Sequence, residues 1–134
     1  MLMSTLAAAG TPTPTASAAI LGLHDSTRVQ DSFYVILKES LPWKHHLTDT
    51  WVSSADPNVE RAHRAAYRAD LQVDAQLLDA IAQELAATYG GTVVDEMPGI
   101  HMFVVTMPEA QVVQMAKDPR IKIIGVDQLV QGIW

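Results

Sequence analysis

Three histidines, an arginine stripe and an apolar C-terminus are where this chain could do chemistry. His45, His46 and His63 are metal-ligand types, but no carboxylate or cysteine stands at ligand spacing from them. Solvated or core histidines are therefore expected, with no metal and no other cofactor. Ser53, His46 and Asp49 include the residue types of a nucleophilic triad. No nucleophile-elbow motif surrounds the serine and no spacing brings the three together, so no catalytic residue is expected. The absence of cysteine removes thiolate nucleophiles, cysteine zinc sites and a disulfide framework. Arg61, Arg64 and Arg68 recur at helical spacing and read as a solvated helix face, with Glu60 able to pair with Arg64. Met97, Met102, Met107 and Met115 read as core filler.

The remaining candidate is the end of the chain, Asp127 followed after one residue by Leu129, Val130, Gln131, Gly132, Ile133 and Trp134. This stretch has neither a helical nor a strand-like pattern. An extended tail can pair its backbone with the edges of a cleft while alternate side chains fill pockets. Leu129, Val130, Ile133 and Trp134 supply the apolar groups for such pockets.

Composition narrows the partners. The chain has 134 residues, of which 49% are apolar and 18% charged, which suits one globular domain. Its net charge is −6, and residues 74–134 hold eight acids against three bases. Phosphate backbones call for clustered Lys and Arg, so no nucleic acid is expected. No run approaches the roughly 20 apolar residues of a membrane span, so no membrane partner is expected either. The first Lys or Arg is Arg28, too late for the basic start of a standard signal peptide. The compartment stays open between cytoplasm and secretion.

The elements that must hold the tail follow from periodicity. Residues 1–30, with Thr11-Pro12-Thr13-Pro14-Thr15, are expected to be largely disordered. Phe33 to Lys38 is a strand, apolar on both faces. Residues 40–73 read as one or two helical pieces, one starting at Pro42-Trp43 and one at Asp56-Pro57. Residues 75–89 form a helix with Leu78, Ile81, Ala82, Leu85 and Tyr89 on one face, Asp74 as N-cap and Gly90-Gly91 as its stop. Strands 92–97 and 100–105 make a hairpin around a tight Pro98-Gly99 turn. Thr106-Met107-Pro108-Glu109 reads as a capping box for a helix reaching about Lys117. Asp118-Pro119 ends that helix, and Ile121 to Ile124 form the last strand. This order predicts an α+β, ferredoxin-like βαββαβ sandwich with a four-stranded antiparallel sheet and two helices on one face. The domain would span 31–127, with a helical insertion at 40–73 and a tail at 128–134.

Three pieces of this sequence together resemble the subtilisin propeptide and proteinase inhibitor I9 family. They are Ser32-Phe33-Tyr34-Val35-Ile36-Leu37-Lys38, then Gly99-Ile100 with Val104-Val105-Thr106-Met107-Pro108-Glu109-Ala110, then Lys117-Asp118-Pro119-Arg120 through Asp127. The Lys-Asp-Pro piece is the most specific, and the resemblance covers about half the chain. It implies a small α/β sandwich whose helix-free sheet face packs on two surface helices of a subtilisin-like serine protease. It also implies a tail that runs through the protease cleft like a substrate. Asp127 would meet helix N-termini of the protease, where backbone N–H groups favour anions. Either Trp134 fills the primary pocket with Gln131 in the fourth, or Ile133 does so with Val130; a product-like end favours Trp134. With no protease domain following Trp134, the expectation is a stand-alone inhibitor, the alternative a prodomain that assists folding of its protease. Two departures are visible: the usual acidic run is reduced to Asp127, and the 40–73 insertion is long. Outside the resemblance, a ferredoxin-like regulatory domain binding a small molecule near Gly90-Gly91 is a further alternative. An RNA-binding module fits less well, because Tyr34 and Phe103 have no basic neighbours except Lys38.

Overall fold

The computed structural model describes residues 17–46 and 54–128 of the chain. Its elements are β1 (Ala19–Leu21), β2 (Arg28–Leu37), α1 (Pro57–Tyr89), β3 (Thr92–Met97), a 3-10 turn (Pro98–Ile100), β4 (Met102–Thr106), α2 (Glu109–Met115) and β5 (Ile121–Gln128). The protein is α+β, with a five-stranded mixed sheet in the order β1-β5-β2-β4-β3. The four anticipated strands pair antiparallel, β5-β2-β4-β3, with β2 and β4 inside. The four-stranded antiparallel sheet is therefore corrected by a fifth strand: β1 lies parallel to β5, with Ala19 opposite Ile123 and Leu21 opposite Gly125. β1 and the start of β2 fall inside the stretch read as disordered. Three residues are too short for a periodic signal, and their partner lies about a hundred positions away.

One core holds the layers together. Phe33, Val35 and Leu37 of β2, Phe103 and Val105 of β4, and Ile124 and Val126 of β5 point to the same side by strand alternation. Leu78, Ile81, Ala82, Leu85 and Ala86 of α1 and Val112 and Met115 of α2 meet them there. Both helices thus cover one face of the sheet.

The helical region differs most from its sequence reading. One 33-residue helix joins the piece expected from Asp56-Pro57 to the helix expected over 75–89. Asp56 is its N-cap, accepting from Asn58 N at 2.9 Å, and Pro57 opens the first turn. No glycine or proline interrupts residues 58–89, so nothing breaks the ladder before Gly90, which caps it at φ 86°. Asp74 is not an N-cap. It lies inside α1, fully buried, with both oxygens turned to another segment. The half of α1 before Asp74, about 25 Å long at 1.5 Å per residue, stands out from the core and shows Arg61, Arg64 and Arg68 to solvent. Residues 41–46 are not helical, and the rest of the helix expected from Pro42-Trp43 lies outside the described residues.

The other local corrections have equally local causes. The hairpin is present, but Pro98–Ile100 make a 3-10 turn that His101 closes at φ 55° in place of a type II turn. The capping box does not form. Thr106 stays in β4, paired with Ser32 and Thr92, and Pro108 takes the cap position without a side-chain bond. β5 runs four residues past Ile124, so Asp127 and Gln128 are strand residues. The Lys-Asp-Pro-Arg motif ties helix to strand: Asp118 accepts from Arg120 Nε at 2.9 Å, Arg120 Nη2 at 3.0 Å and Arg120 N at 3.0 Å. Arg120 also donates to Glu84 of α1 at 2.8 Å. These bonds from Arg120 hold the Asp118 carboxyl below its usual range.

Candidate functional site

The face of the sheet away from the two helices is apolar and, among the described residues, carries no helix. Strand alternation puts Tyr34 and Ile36 of β2, Met102 and Val104 of β4, and Ile123 and Gly125 of β5 on the side away from the helices. Register aligns them in rows: Val104, Tyr34 and Gly125 across one level, Met102, Ile36 and Ile123 across the next. The five side chains are half-buried, although neither helix reaches them. Tyr34 lies across Gly125 so closely that a Cβ there would come within 2.0 Å of the phenol ring. Glycine is required at 125 for this contact. Val94, at the β3 bulge, is 56% exposed at the margin.

Asp127 shares this face, two residues beyond Gly125. Its Oδ2 accepts from the Ser32 hydroxyl at 3.0 Å. Of the tail residues nominated from the sequence, Asp127 alone is among the described ones. Leu129, Val130, Gln131, Gly132, Ile133 and Trp134 lie outside them. The structure thus joins Asp127, at the exit of β5, to an apolar face.

A second cluster went unread in the sequence. His101 is fully buried, and Trp43 stacks on its ring at 4.0 Å between centroids and 5° between planes. Nε2 donates to the His45 carbonyl at 2.9 Å, and Nδ1 shares a short hydrogen bond with the Glu39 carboxyl. Trp43 Nε1 donates to Lys38 O at 2.8 Å. Asp74 accepts from Lys44 N at 2.6 Å and from His45 N at 2.8 Å. These bonds fold residues 38–46 over the end of the sheet and onto α1. Every named polar atom is partnered within the cluster, and none faces the open side of the sheet. The chemistry supports packing. His45 and His46 are likewise engaged, His45 edge-on to Tyr67 at 5.0 Å and His46 Nδ1 at 3.8 Å from Glu39. Ser53 and Asp49 of the imagined triad lie outside the described residues.

The glycine pair has structural duties. Gly90 caps α1, and a Cβ on Gly91 would stand 2.8 Å from Val105 Cγ2 and 3.0 Å from Met107 Cε. Gly91 packs on the core side of the sheet.

One titrating group lies near the edge. The Glu96 carboxyl is pushed up to about 7, first by partial burial, then by its hydrogen bond and charge contact with Asp79 of α1, then by Asp95. A carboxyl raised in the folded state contributes stability while protonated. That contribution is present below the usual carboxylate range and is lost as pH rises toward about 7. Glu96→Gln is therefore expected to raise the melting temperature at pH 8 and leave it nearly unchanged at pH 4. Thermal melts at the two pH values check this, and an equal shift at both would contradict it.

Searches of protein-family models and of curated proteins returned no match to this chain.

Proposed function

We propose that this protein inhibits subtilisin-like serine proteases, docking its open sheet face on the enzyme and passing its C-terminal residues through the active-site cleft as a substrate would. The observation that carries the proposal is the apolar face of Tyr34, Ile36, Met102, Val104 and Ile123, which neither helix covers and which is continuous with the strand that leads to the tail. A contiguous apolar patch on a small domain marks an interaction surface. A short peptide alone binds weakly, because ordering it costs most of what its contacts contribute. A second contact area on a rigid scaffold offsets that cost. The finer fold reading accompanies this one: β2-α1-β3-β4-α2-β5 as a ferredoxin-like βαββαβ unit, with β1 added at its edge. In this reading Asp127 faces the enzyme, Leu129 to Trp134 occupy the cleft, and the chain contributes no catalytic group. Nucleic acid is a poorer partner for the face, since Asp95 and Asp127 border it.

Titration of the chain against a panel of subtilisin-like proteases is expected to raise KM for a peptide substrate and leave kcat unchanged. Failure to inhibit any member rejects the proposal. Ile36→Lys puts a charge at the centre of the face. It is expected to weaken inhibition by about 2 kcal/mol, roughly 30-fold, with the far-UV circular dichroism spectrum unchanged. Unchanged potency would show that the open face does not touch the enzyme.

A further inference from the structure

The N-terminal segment holds the exit of β5. Ala18 N donates to Ala116 O at 2.8 Å, at the end of α2, and β1 then pairs along β5 from Ile123 to Gly125. Gly22, at φ 82°, lays its backbone on the next core side chain of β5: a Cβ there would sit 2.6 Å from Val126 Cγ2. The chain then reverses. Asp25 N donates to Gly22 O at 2.9 Å, and Asp25 Oδ1 accepts from Thr27 N at 2.8 Å and Thr27 Oγ1 at 2.6 Å. The other oxygen, Oδ2, accepts from the Gln128 side chain, the last residue of β5. Arg28 pins the loop to the core. Its Nη1 donates to Leu23 O at 2.9 Å and Glu109 Oε1 at 3.2 Å, and its guanidinium lies 5.4 Å from the centre of the Phe33 ring. Arg28 is also the register partner of Gln128.

Without this segment β5 would be an edge strand. Its last residues would hang on a single ladder that already slips register between Arg28 and Phe33. Strand ends held on one side open readily. A chain leaving a fixed point in a fixed direction loses less freedom on binding than one leaving a frayed end. We infer that residues 18–28 are a positioning clamp for the C-terminal tail, with Gly22 and Asp25 as its contacts to the exit strand. This rests on the inhibitor reading, and the clamp itself is measurable without it.

The test uses full-length wild type, Gly22→Val, Asp25→Ala and, as a control, Leu85→Ala, which loosens the core under α1 and leaves the contacts of residues 18–28 in place. Amide exchange in the free protein and inhibition of a subtilisin are both measured. The clamp variants are expected to speed exchange at Val126, Asp127 and Gln128 about tenfold, with α1 amides unaffected. They are expected to raise the inhibition constant by about the same factor. Leu85→Ala is expected to lower the melting temperature without changing inhibition. Exchange as slow as wild type in both clamp variants would show that the segment does not hold the exit. Faster exchange with unchanged inhibition would show that holding the exit does not position the tail. If wild type fails to inhibit, the inhibitor reading falls and the positioning role with it, whereas the exchange result reports on the clamp alone.

Discussion

Removal of Gln131 to Trp134 is expected to raise the inhibition constant by about three orders of magnitude and leave the fold intact. The deleted residues include Ile133 and Trp134, and each apolar side chain fully buried in a pocket contributes roughly 1.5–3 kcal/mol. Main-chain bonds to the cleft edges add about 1 kcal/mol each. A loss of about 4 kcal/mol after ordering costs corresponds to about a thousandfold. The described core contains none of these residues, so the melting temperature should stay within a degree or two of the intact chain. Comparing the two forms by inhibition assay and thermal melt gives the answer, and equal potency would remove the tail from the mechanism. Shortening by Trp134 alone separates the two alignments. If Trp134 fills the primary pocket, most of the loss appears at once; if Ile133 does, potency stays near that of the intact chain.

Asp74→Ala is expected to cost about 3 kcal/mol of stability, the largest effect of any single polar substitution considered. The carboxylate is fully buried in α1 and is an acceptor for two backbone N–H groups, those of Lys44 and His45. Alanine would leave both donors without that acceptor, at about 1–3 kcal/mol each, partly relieved as the segment loosens and admits water. Trp43 would then lose its fixed place against His101, so its fluorescence reports the loosening directly. Asp74→Asn keeps one acceptor oxygen and is expected to lose about half as much. Urea unfolding measures both. The open sheet face is not touched, so inhibition by the folded fraction should be unchanged. A parallel loss of potency would mean that residues 38–46 belong to the interface. Stability within 0.5 kcal/mol of wild type, small against the expected loss, would mean that Asp74 is not the anchor of the segment.

The two sites differ in how legible they were. The open face could be read only in part: Phe33 to Leu37 is apolar on both sides, which meant either that both faces were covered or that one awaited a partner. The His101 and Asp74 cluster could not. Asp74 precedes a helical apolar pattern, as an N-cap does, and periodicity cannot tell a helix start from a helix interior. The available signal was the lack of any glycine or proline between Pro57 and Gly90. His101 follows Pro98-Gly99-Ile100 with no local feature to mark its burial; Glu39, Trp43 and His45, which surround it, are 56 to 62 positions away.

The sequence by itself determined strands β2 to β5 and the helical character of the stretches that became α1 and α2, in their order, because helix and strand periods, the Asp56-Pro57 start, the Gly90 stop and the Asp118-Pro119 break act over a few residues. Tertiary structure decided the rest: that β1 joins the sheet at β5, that Asp74 serves the loop in place of its own helix, and that Asp25 reaches Gln128. Each of these depends on groups that meet only after the chain has closed on itself, and no spacing along the chain encodes such a meeting.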